Sequence, residues 1–279
     1  MDLIIDKFSR VAGRYQGFII DLWGVVHNGE KAFPHSVEVM ANLKAMGKKI
    51  CLLSNAPSRV SFLHKHLARL NVKDYDFVMS SGEMVWQEFH TGKNQEFAAL
   101  GKNCFMIGGI AGPSLLAGLD INDCPSLGEA DFVWAAQMPE GDYPALLKQM
   151  REMNLPLICG NPDMQVLFDQ KLVLCPGTLA QEYRAMGGQV IYRGKPYPHV
   201  YKACLDFCGT DNLAAIGDGM MTDILGAHNA GLDSYFISSG IHGNELNHAG
   251  RAGVDADKLQ AFLAGFAYAP TATMLELTW

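Results

Sequence analysis

A chain of 279 residues is long enough to form one large domain or two smaller ones, each with its own core. Its residues are 49% hydrophobic and 18% charged, a balance that excludes extended disorder and predicts a folded globular protein. The formal net charge of -7, with no dense block of lysine and arginine, argues against nucleic acid as a partner.

Membrane insertion and a disulfide framework are both disfavoured by the sequence. No uncharged apolar segment reaches the roughly 18 residues that a membrane-spanning helix needs, and Asp2 and Asp6 stand where a signal peptide would be basic. The seven cysteines form no C-x-x-C pair, and several lie in apolar runs, which predicts buried free thiols instead of a zinc site or disulfides. We therefore expect a cytoplasmic protein without a membrane partner.

Short apolar runs alternate with helical patterns along the chain, as in α/β proteins with a parallel sheet. The runs near the two ends of the chain predict strands at 17–23, 49–55, 75–81, 212–218 and 233–240. Helical patterns lie at 36–47, 58–71 and 222–231, with Ser58 as a candidate N-cap and Gly47 and Gly231 as terminating glycines. We therefore predict a Rossmann-like parallel sheet with crossover helices.

In the middle of the chain the apolar runs and turns are spaced differently, which indicates an inserted α/β unit. Its apolar runs, separated by turn-rich segments, lie at 103–109, 131–137, 156–163 and 171–177. Within it, residues 128–162 have the pattern strand, helix, strand. We predict a core domain formed by 1–88 and 191–279 and an inserted cap domain at 89–190.

Polar side chains stand at the ends of the predicted core strands. In a parallel sheet the carboxyl ends of the strands meet at one edge, where functional residues gather. The polar residues at these positions are Asp21, Ser54, Asn55, Asp218, Asp223 and, before a helix, Lys195. Apart from Asp21, each has a plain structural alternative, such as a turn, a helix cap or a solvated side chain.

Asp21 is harder to explain as a structural residue. An ionised carboxylate in an apolar strand next to Trp23 costs several kcal/mol unless a cation or hydrogen bonds compensate. Asp218 and Asp223 carry the same charge, so they share a site with Asp21 if a divalent cation lies among them, and oxygen ligands favour Mg²⁺ over zinc. A carboxylate beside Mg²⁺ and a lysine is suited to attack a phosphate in line and form an aspartyl-phosphate.

Four segments resemble, in the right order, the motifs of the haloacid dehalogenase superfamily of phosphohydrolases. They are DLWGV at 21–25, LLSNAPSR at 52–59, GKPYP at 194–198 and GDGMMTDILGAHNAG at 217–231. With an α/β insertion between the second and third motifs, the chain resembles subfamily IIA, the sugar-phosphatase-like and nitrophenylphosphatase-like branch with a C2-type cap. The resemblance spans nearly the whole chain and implies Mg²⁺ as cofactor and a small phosphorylated substrate.

The resemblance implies a role for each motif residue. Asp21 resembles the nucleophile and a metal ligand, and the backbone carbonyl of Trp23 stands where the family uses a second ligand. Asp218 resembles the remaining carboxylate ligand, and Asp223 holds metal-bound water or the metal itself. The residues on the phosphate side are Ser54 as the phosphate-binding hydroxyl, Lys195 as the cation that steadies nucleophile and phosphoryl group, and Asn55 as a substrate-positioning amide.

Two segments of the insertion resemble cap segments that face the active site, GNPD at 160–163 and PGT at 176–178. The resemblance makes Asn161, Asp163 and Thr178 candidate substrate-binding residues. Both segments are equally compatible with simple turns.

Trp23 departs from the family pattern, which places a second aspartate two residues after the nucleophile as general acid and base. An indole N–H has no useful acidity near neutral pH, so Trp23 cannot take this role. Either the chain has lost phosphatase activity, or another group supplies the proton, or the leaving group scarcely needs one. His27, six positions beyond Asp21, is our candidate substitute because of its unperturbed pKa and its proximity in the chain.

We predict a Mg²⁺-dependent phosphatase that hydrolyses a small phosphorylated metabolite, such as a sugar phosphate, through an aspartyl-phosphate. The alternative is a catalytically weak or inactive family member that binds a phosphorylated ligand as a sensor or interaction module. Trp23 favours the alternative, whereas the four charges of Asp21, Lys195, Asp218 and Asp223 favour the enzyme. A homodimer stays open as an expectation, because caps of this size can form dimer contacts.

Overall fold

The computed structural model describes residues 3–108, 115–168, 171–246 and 253–279. Within these residues the strands are β1 (Gly17–Asp21), β2 (Lys49–Ser54), β3 (Phe77–Ser80), β4 (Asn103–Ile107), β5 (Asn122–Asp123), β6 (Phe132–Ala135), β7 (Leu157–Cys159), β8 (Gln165–Phe168), β9 (Lys171–Leu174), β10 (Val190–Tyr192), β11 (Leu213–Gly217), β12 (Asp233–Ile237) and β13 (Ala272–Met274). The α-helices are α1 (Pro34–Ala45), α2 (Val60–Arg69), α3 (Ser81–Thr91), α4 (Gln95–Ala98), α5 (Tyr143–Glu152), α6 (Pro176–Ala185), α7 (Pro198–Cys208), α8 (Leu225–Asn229) and α9 (Ala256–Leu263). A π-helical turn, Met220–Ile224, leads into α8.

The first sheet is parallel and, in the described part of the chain, has the strand order β13-β12-β11-β1-β2-β3. The central strand β1 is buried on both faces: Phe18 and Ile20 pack in one apolar layer and Ile19 in the other. Burial on both faces explains why the strands of this sheet are continuous apolar runs in the sequence. The predicted α/β fold with a parallel core sheet is confirmed, and the structure adds the edge strand β13, which has no clear apolar run.

The second sheet is also parallel, with the order β10-β7-β6-β4-β5. Strands β6 and β7 pair in parallel with α5 between them in the chain, as the pattern of the inserted segment predicts. The side chains of β6 alternate between two apolar clusters, with Val133 and Ala135 on one side and Phe132 and Trp134 on the other. The inserted unit therefore has its own core.

The predicted domain junctions, 88/89 and 190/191, fall inside α3 and β10. Because Val190–Tyr192 pairs with Leu157–Cys159 of the second sheet, this segment is continuous with the inserted unit. We therefore propose a second junction after Tyr192, and a first junction within the α3–α4 region that precedes β4.

A separate two-stranded ribbon lies outside both sheets. The run predicted as a strand at 171–177 is the shorter β9, which pairs antiparallel with β8; we call β8 and β9 together the cap hairpin. Phe168 and Leu172 within it are 47% and 51% exposed. A short hairpin with exposed apolar side chains has little stability of its own, so its contacts with the rest of the chain decide where it sits.

Helix ends agree with the sequence at two C-termini and disagree at one N-terminus. Gly47 and Gly231 adopt positive φ angles of 72° and 70° just past α1 and α8, as predicted for terminating glycines. The predicted N-cap at Ser58 is wrong, because α2 begins at Val60. Glu83 of α3 accepts the Val60 N–H at 3.1 Å, so a carboxylate distant in sequence replaces a local capping side chain.

The seven cysteines are free, and five of them are buried, which confirms the predicted thiols. Burial raises the pKa of the Cys159 thiol to about 12, so this group stays protonated at neutral pH. Among the described residues, no helix combines the length and the apolar character needed to cross a bilayer.

Candidate active site

The candidate site lies where the core strands end. Asp21 is the last residue of β1, Ser54 is the last residue of β2, and Asp218 directly follows β11. Because β1 is hydrogen bonded to both β2 and β11, the three side chains emerge side by side. The edge of the sheet at which the sequence predicts the site is therefore where these residues meet.

Three buried carboxylates form a cluster at this edge. Asp21, Asp218 and Asp223 are 5%, 8% and 5% exposed, and one oxygen from each lies within 4.8 Å of the others. Asp218 Oδ2 also accepts the backbone N–H of Ile241 at 2.8 Å, and Asp223 Oδ2 accepts that of Gly219 at 3.2 Å. These bonds fix the direction of two of the carboxylates.

Lys195 is the buried cation of the cluster. Its Nζ donates to Asp21 Oδ1 and, at 2.7 Å, to Asp223 Oδ1. Burial disfavours the charged lysine, but the carboxylates of Asp21 and Asp223 outweigh burial and raise the pKa of Lys195 well above its usual value. Lys195 is therefore a permanent positive charge next to the candidate nucleophile.

One lysine does not neutralise three carboxylates. Burial raises the pKa of Asp21 well above its usual value, with Asp223 and Asp218 adding to the effect and Lys195 opposing it. Burial and the Asp223 carboxylate likewise raise the pKa of Asp218 to about 7. An all-oxygen cluster with excess negative charge fits a hard divalent cation such as Mg²⁺.

Two glycines let the chain approach Asp218 closely. A Cβ at Gly24, where φ is 85°, or at Gly240 would collide with the Asp218 carboxylate. Gly24 follows Trp23 in the first motif, and Gly240 follows the strand β12. Neither glycine stands out in the sequence, because a glycine after a strand is also compatible with an ordinary turn.

Asn55 connects the lysine to the inserted unit. Its Oδ1 accepts the Lys195 N–H at 2.7 Å and the Ser81 hydroxyl at 3.1 Å, while its Nδ2 donates to the Lys195 carbonyl at 3.1 Å and to Asp163 Oδ1 at 2.8 Å. An amide has two donors and two acceptor lone pairs, so these four bonds use its full capacity. Direct substrate binding by Asn55 is therefore disfavoured, and its contacts indicate a positioning role.

The predicted cap residues separate into two groups. Asp163 lines the cavity, and burial raises its pKa although Lys195 and Asn55 oppose the shift. Asn161 and Thr178 are not among the residues that line the cavity. Asn161 Oδ1 accepts the Asp163 N–H at 3.2 Å, and Thr178 Oγ1 donates to the carbonyl of Met164 at 2.6 Å. These two side chains support the loop that carries Asp163, a geometry that disfavours their predicted role as substrate ligands.

Ser54 and Trp23 also line the cavity. The Ser54 hydroxyl accepts the N–H of Ala56 at 3.1 Å and stands beside the carboxylate cluster at the end of β2. The indole of Trp23 does not point a donor at the carboxylates: its Nε1 donates to the carbonyl of Leu167 in the cap hairpin at 3.0 Å. Trp23 therefore contributes packing and a contact with the cap, without a proton donor for chemistry.

His27 does not fit the role of substitute acid. It is 4% exposed, it is not among the residues that line the cavity, and its Nδ1 accepts the N–H of Gly29 at 3.0 Å. Burial and the neighbouring His66 lower the pKa of His27 to about 4, so the ring is neutral at pH 7. The predicted substitution by His27 is therefore disfavoured, because a buried ring that does not line the cavity and is neutral at pH 7 has no acidic proton to deliver.

Both units of the chain line the cavity above the carboxylates. Its volume is about 940 Å³, enough for a small metabolite. The core contributes the carboxylates and Lys195, whereas the inserted unit contributes Asp163, part of the cap hairpin, and Tyr192 at the end of β10. Tyr192 is stacked on Tyr197 with ring centroids 5.0 Å apart, which makes one wall aromatic.

Comparisons with protein families agree with this geometry. Residues 18–122 match the model of the family described as haloacid dehalogenase-like hydrolase, and residues 192–260 match a second model of haloacid dehalogenase-like hydrolases. The two matches together cover more than half of the chain. They include Asp21, Ser54, Lys195, Asp218 and Asp223.

Individual relatives are similar over most of their length. The chain is 25% identical to chronophin of Bos taurus over 83% of each chain. It is also 25% identical to the ribonucleotide monophosphatase NagD of Escherichia coli K12, over 80% of this chain and 87% of that protein. Among solved structures, a haloacid dehalogenase-like hydrolase from Brucella suis superposes with a TM-score of 0.81 at 29% identity, covering 99% of this chain and 100% of that one.

Proposed function

We propose that this chain, which belongs to the haloacid dehalogenase-like hydrolases, is a Mg²⁺-dependent phosphatase that hydrolyses a small phosphorylated metabolite through an aspartyl-phosphate. Membership of this family confirms the resemblance predicted from the four motifs and the prediction that the chain is an enzyme of the hydrolase class. The matched relatives named as phosphatases support the reaction type.

The observation that carries this proposal is the placement of Lys195 between Asp21 and Asp223. The lysine contacts both carboxylates, and Asp218 completes an acidic cluster beneath the cavity. A buried cluster of this kind costs free energy, because three carboxylates are removed from water with one ammonium group to balance them. A bound cation and a phosphate would compensate this cost, which supports phosphate chemistry at the site.

Each residue of the candidate site then has a role in the reaction. Asp21 supplies the oxygen that attacks phosphorus, and Lys195 holds this carboxylate and the charge of the phosphoryl group. The Ser54 hydroxyl binds a phosphate oxygen at the end of β2. Asp21, Asp218, Asp223 and the carbonyl of Trp23 would hold Mg²⁺, which neutralises phosphate charge when bound.

The leaving group determines how fast the first step can be. Neither Trp23 nor His27 can donate a proton, and general acid catalysis contributes about 10² to 10⁴ in rate. We therefore propose that good leaving groups, such as a phenolate, are displaced well, whereas a sugar alkoxide leaves slowly. The same missing group would slow hydrolysis of the aspartyl-phosphate, since neither Trp23 nor His27 replaces the usual base.

Pre-steady-state hydrolysis of p-nitrophenyl phosphate with Mg²⁺ tests this proposal. A slow second step predicts a burst of about one mole of nitrophenolate per mole of chain, followed by a slower steady rate. Asp21→Asn should abolish both phases. Asp206→Asn, which removes an exposed carboxylate paired with Lys202 on α7, is the matched control and should leave the burst intact.

Binding of a phosphorylated ligand without turnover is the second candidate function, and the side chain of Trp23 favours it. Its signature would be saturable binding of a sugar phosphate with no burst and no steady-state release from either the aryl or the sugar ester. That combination in the wild-type chain, with Mg²⁺ present, would contradict the phosphatase proposal.

A further inference from the structure

Trp23 joins the core to the cap hairpin. Its Nε1 donates to the carbonyl of Leu167 at 3.0 Å, and its ring stacks on Phe168 with centroids 6.0 Å apart and planes at 29°. The two contacts connect a loop directly after the nucleophile strand with a segment 144 residues later in the chain. The side chain that replaces the usual acid therefore has a hydrogen-bond acceptor and a stacking partner in the cap hairpin.

The core holds this indole in one orientation. Gly29, with φ of 94°, lies against the far edge of the ring, where a Cβ would collide with Trp23 Cη2. The His27 ring meets the indole edge-on, with centroids 5.7 Å apart and planes at 77°. Because Gly29 and His27 of the core already restrict the ring, little side-chain entropy is lost through the hairpin contact itself.

The cap hairpin depends on an anchor of this kind. Phe168, Leu172, Val173 and Leu174 are 47%, 51%, 46% and 48% exposed, so the hairpin buries little of its own apolar surface. At its base the N–H of Cys175 donates to the carbonyl of Met164 at 2.9 Å, which holds the start of the hairpin but not β8 itself. An isolated two-stranded hairpin is marginally stable in water.

We propose that Trp23 is a latch that holds the cap hairpin over Asp21. Val166 and Leu167 of the hairpin line the same cavity as Asp21 and Trp23, so the latched hairpin forms the wall nearest the first motif. A latched wall limits the size of the group attached to phosphorus. Trp23 is thereby a specificity-determining residue. This role in specificity, unlike the latch itself, rests on the proposed phosphatase function.

Hydrogen exchange of the hairpin tests the latch without requiring activity. Trp23→Ala removes both contacts and should raise the exchange rate of amides in 165–168 and 171–174 about ten-fold or more, because a net hydrogen bond and a stacking contact are lost together. Trp23→Phe keeps the stacking but loses the donor, so it should give a smaller increase of about five-fold. Exchange in β1 and β11 should stay at the wild-type rate in both variants, which shows that the core remains folded.

Trp86→Phe is the matched control. Trp86 also donates its Nε1 to a backbone carbonyl, that of Ala117 at 2.9 Å, and stacks on His90, but it lies outside the residues that line the cavity. The same loss of an indole donor there should leave the hairpin rate unchanged. Equal hairpin exchange in wild type and Trp23→Phe would overturn the latch, and so would an increase of the same size in Trp86→Phe.

Specificity is measured on the same variants with p-nitrophenyl phosphate and a bulkier aryl phosphate, such as naphthyl phosphate. Trp23→Phe should raise kcat/KM for the bulkier ester relative to the smaller one by several-fold, mainly through KM, because the loosened wall admits larger groups. An unchanged ratio with faster hairpin exchange would overturn the specificity role alone. Absence of hydrolysis in every protein with faster hairpin exchange in Trp23→Phe would contradict the phosphatase function and support the latch.

Discussion

Asn55 holds the backbone of Lys195 on both sides of its Cα, accepting the Lys195 N–H at 2.7 Å and donating to the Lys195 carbonyl at 3.1 Å. The two residues are 140 positions apart in the chain, one after β2 and the other before α7. Asn55 thereby fixes the position of the Lys195 backbone, from which the side chain reaches Asp21. Because Asn55 also donates to Asp163, the lysine, the core and the cap share one amide.

Replacing Asn55 tests this positioning role. We expect Asn55→Ala to lower kcat for p-nitrophenyl phosphate about 100-fold, because a displacement of the lysine by about 1 Å misplaces charge in the transition state. KM should change much less, since the altered interaction is one made in the transition state. Asn122→Ala, which removes an exposed amide bonded to Asn103 at the cap edge, is the control and should retain wild-type kcat. A rise in KM without a loss of kcat would instead indicate that Asn55 binds substrate directly.

Removing the lysine charge should destabilise the fold. Lys195→Met leaves three buried carboxylates without their ammonium partner, and breaking a buried pair in this way costs about 3–5 kcal/mol. We expect urea unfolding to show this deficit without metal, and addition of Mg²⁺ to reduce it.

The matched control is Lys202→Met, which breaks a pair with Asp206 in which the side chains are 72% and 63% exposed. That variant should lose no more than about 0.5 kcal/mol. Equal losses in the two variants would show that the Lys195 contacts carry no special weight.

Magnesium itself should stabilise the protein. A cation that binds the folded chain alone, at 100 times its Kd, adds about 2.7 kcal/mol to the free energy of unfolding. Thermal unfolding should therefore shift upward by several degrees with Mg²⁺, and Asp218→Asn should abolish most of this shift by removing one carboxylate of the cluster. An identical Mg²⁺ shift in Asp218→Asn would place the cation elsewhere. Asp206→Asn serves as the control for a generic loss of negative charge.

Gly24 offers a test of close packing against the metal site. Gly24→Ala introduces a Cβ that collides with the Asp218 carboxylate at a position where φ is 85°. Gly47→Ala is a matched control, because its φ is 72° but nothing lies within 4 Å of the added Cβ. We expect Gly47→Ala to cost about 1–2 kcal/mol from backbone strain alone. Gly24→Ala should cost about 1–3 kcal/mol more and weaken Mg²⁺ binding, as measured by chemical unfolding and metal titration. Unaltered Mg²⁺ affinity in Gly24→Ala would contradict the proposed role of Asp218.

The lowered pKa of Asp76 makes the stability of the fold depend on pH in the acidic range. Burial alone would raise its pKa, but the bonds from Lys44 Nζ at 2.5 Å and from the Ile50 N–H at 2.8 Å outweigh burial and lower the pKa in the folded state. A lowered folded-state pKa contributes stability above the unfolded-state pKa, and this stability is lost as pH falls through the folded-state pKa. Asp76→Asn should therefore be about 1–2 kcal/mol less stable than wild type at pH 7. The gap should close progressively below pH 4, and a gap independent of pH would refute the assignment.

Much of the fold can be read directly from the residues. Continuous apolar runs such as Phe18 to Ile20 indicate strands buried on both faces, and a carboxylate at the end of such a run is conspicuous because burial of charge is costly. The edge strand β13 lacks this signal because it is only three residues long and contains the polar Thr273, although all three residues are buried. The short β8 lacks it because a partly exposed strand needs no continuous apolar pattern. Sequence also failed to locate the start of α2. Ser58 has the side chain of a helix cap, but the N–H of Val60 is accepted by Glu83, which is distant in the sequence.

The sequence by itself determined the α/β class, the inserted unit and the identity of the charged residues at the carboxyl edge, because periodicity, order and side-chain chemistry are local properties of the chain. The tertiary structure decided which of the candidate side chains are available to a substrate, since Asn55, Asn161 and Thr178 spend their hydrogen bonds on protein groups and His27 is buried as a neutral ring. It also decided what Trp23 contacts. The partner of its indole is a backbone carbonyl in the cap hairpin, and a backbone group is a partner that side-chain identities cannot reveal.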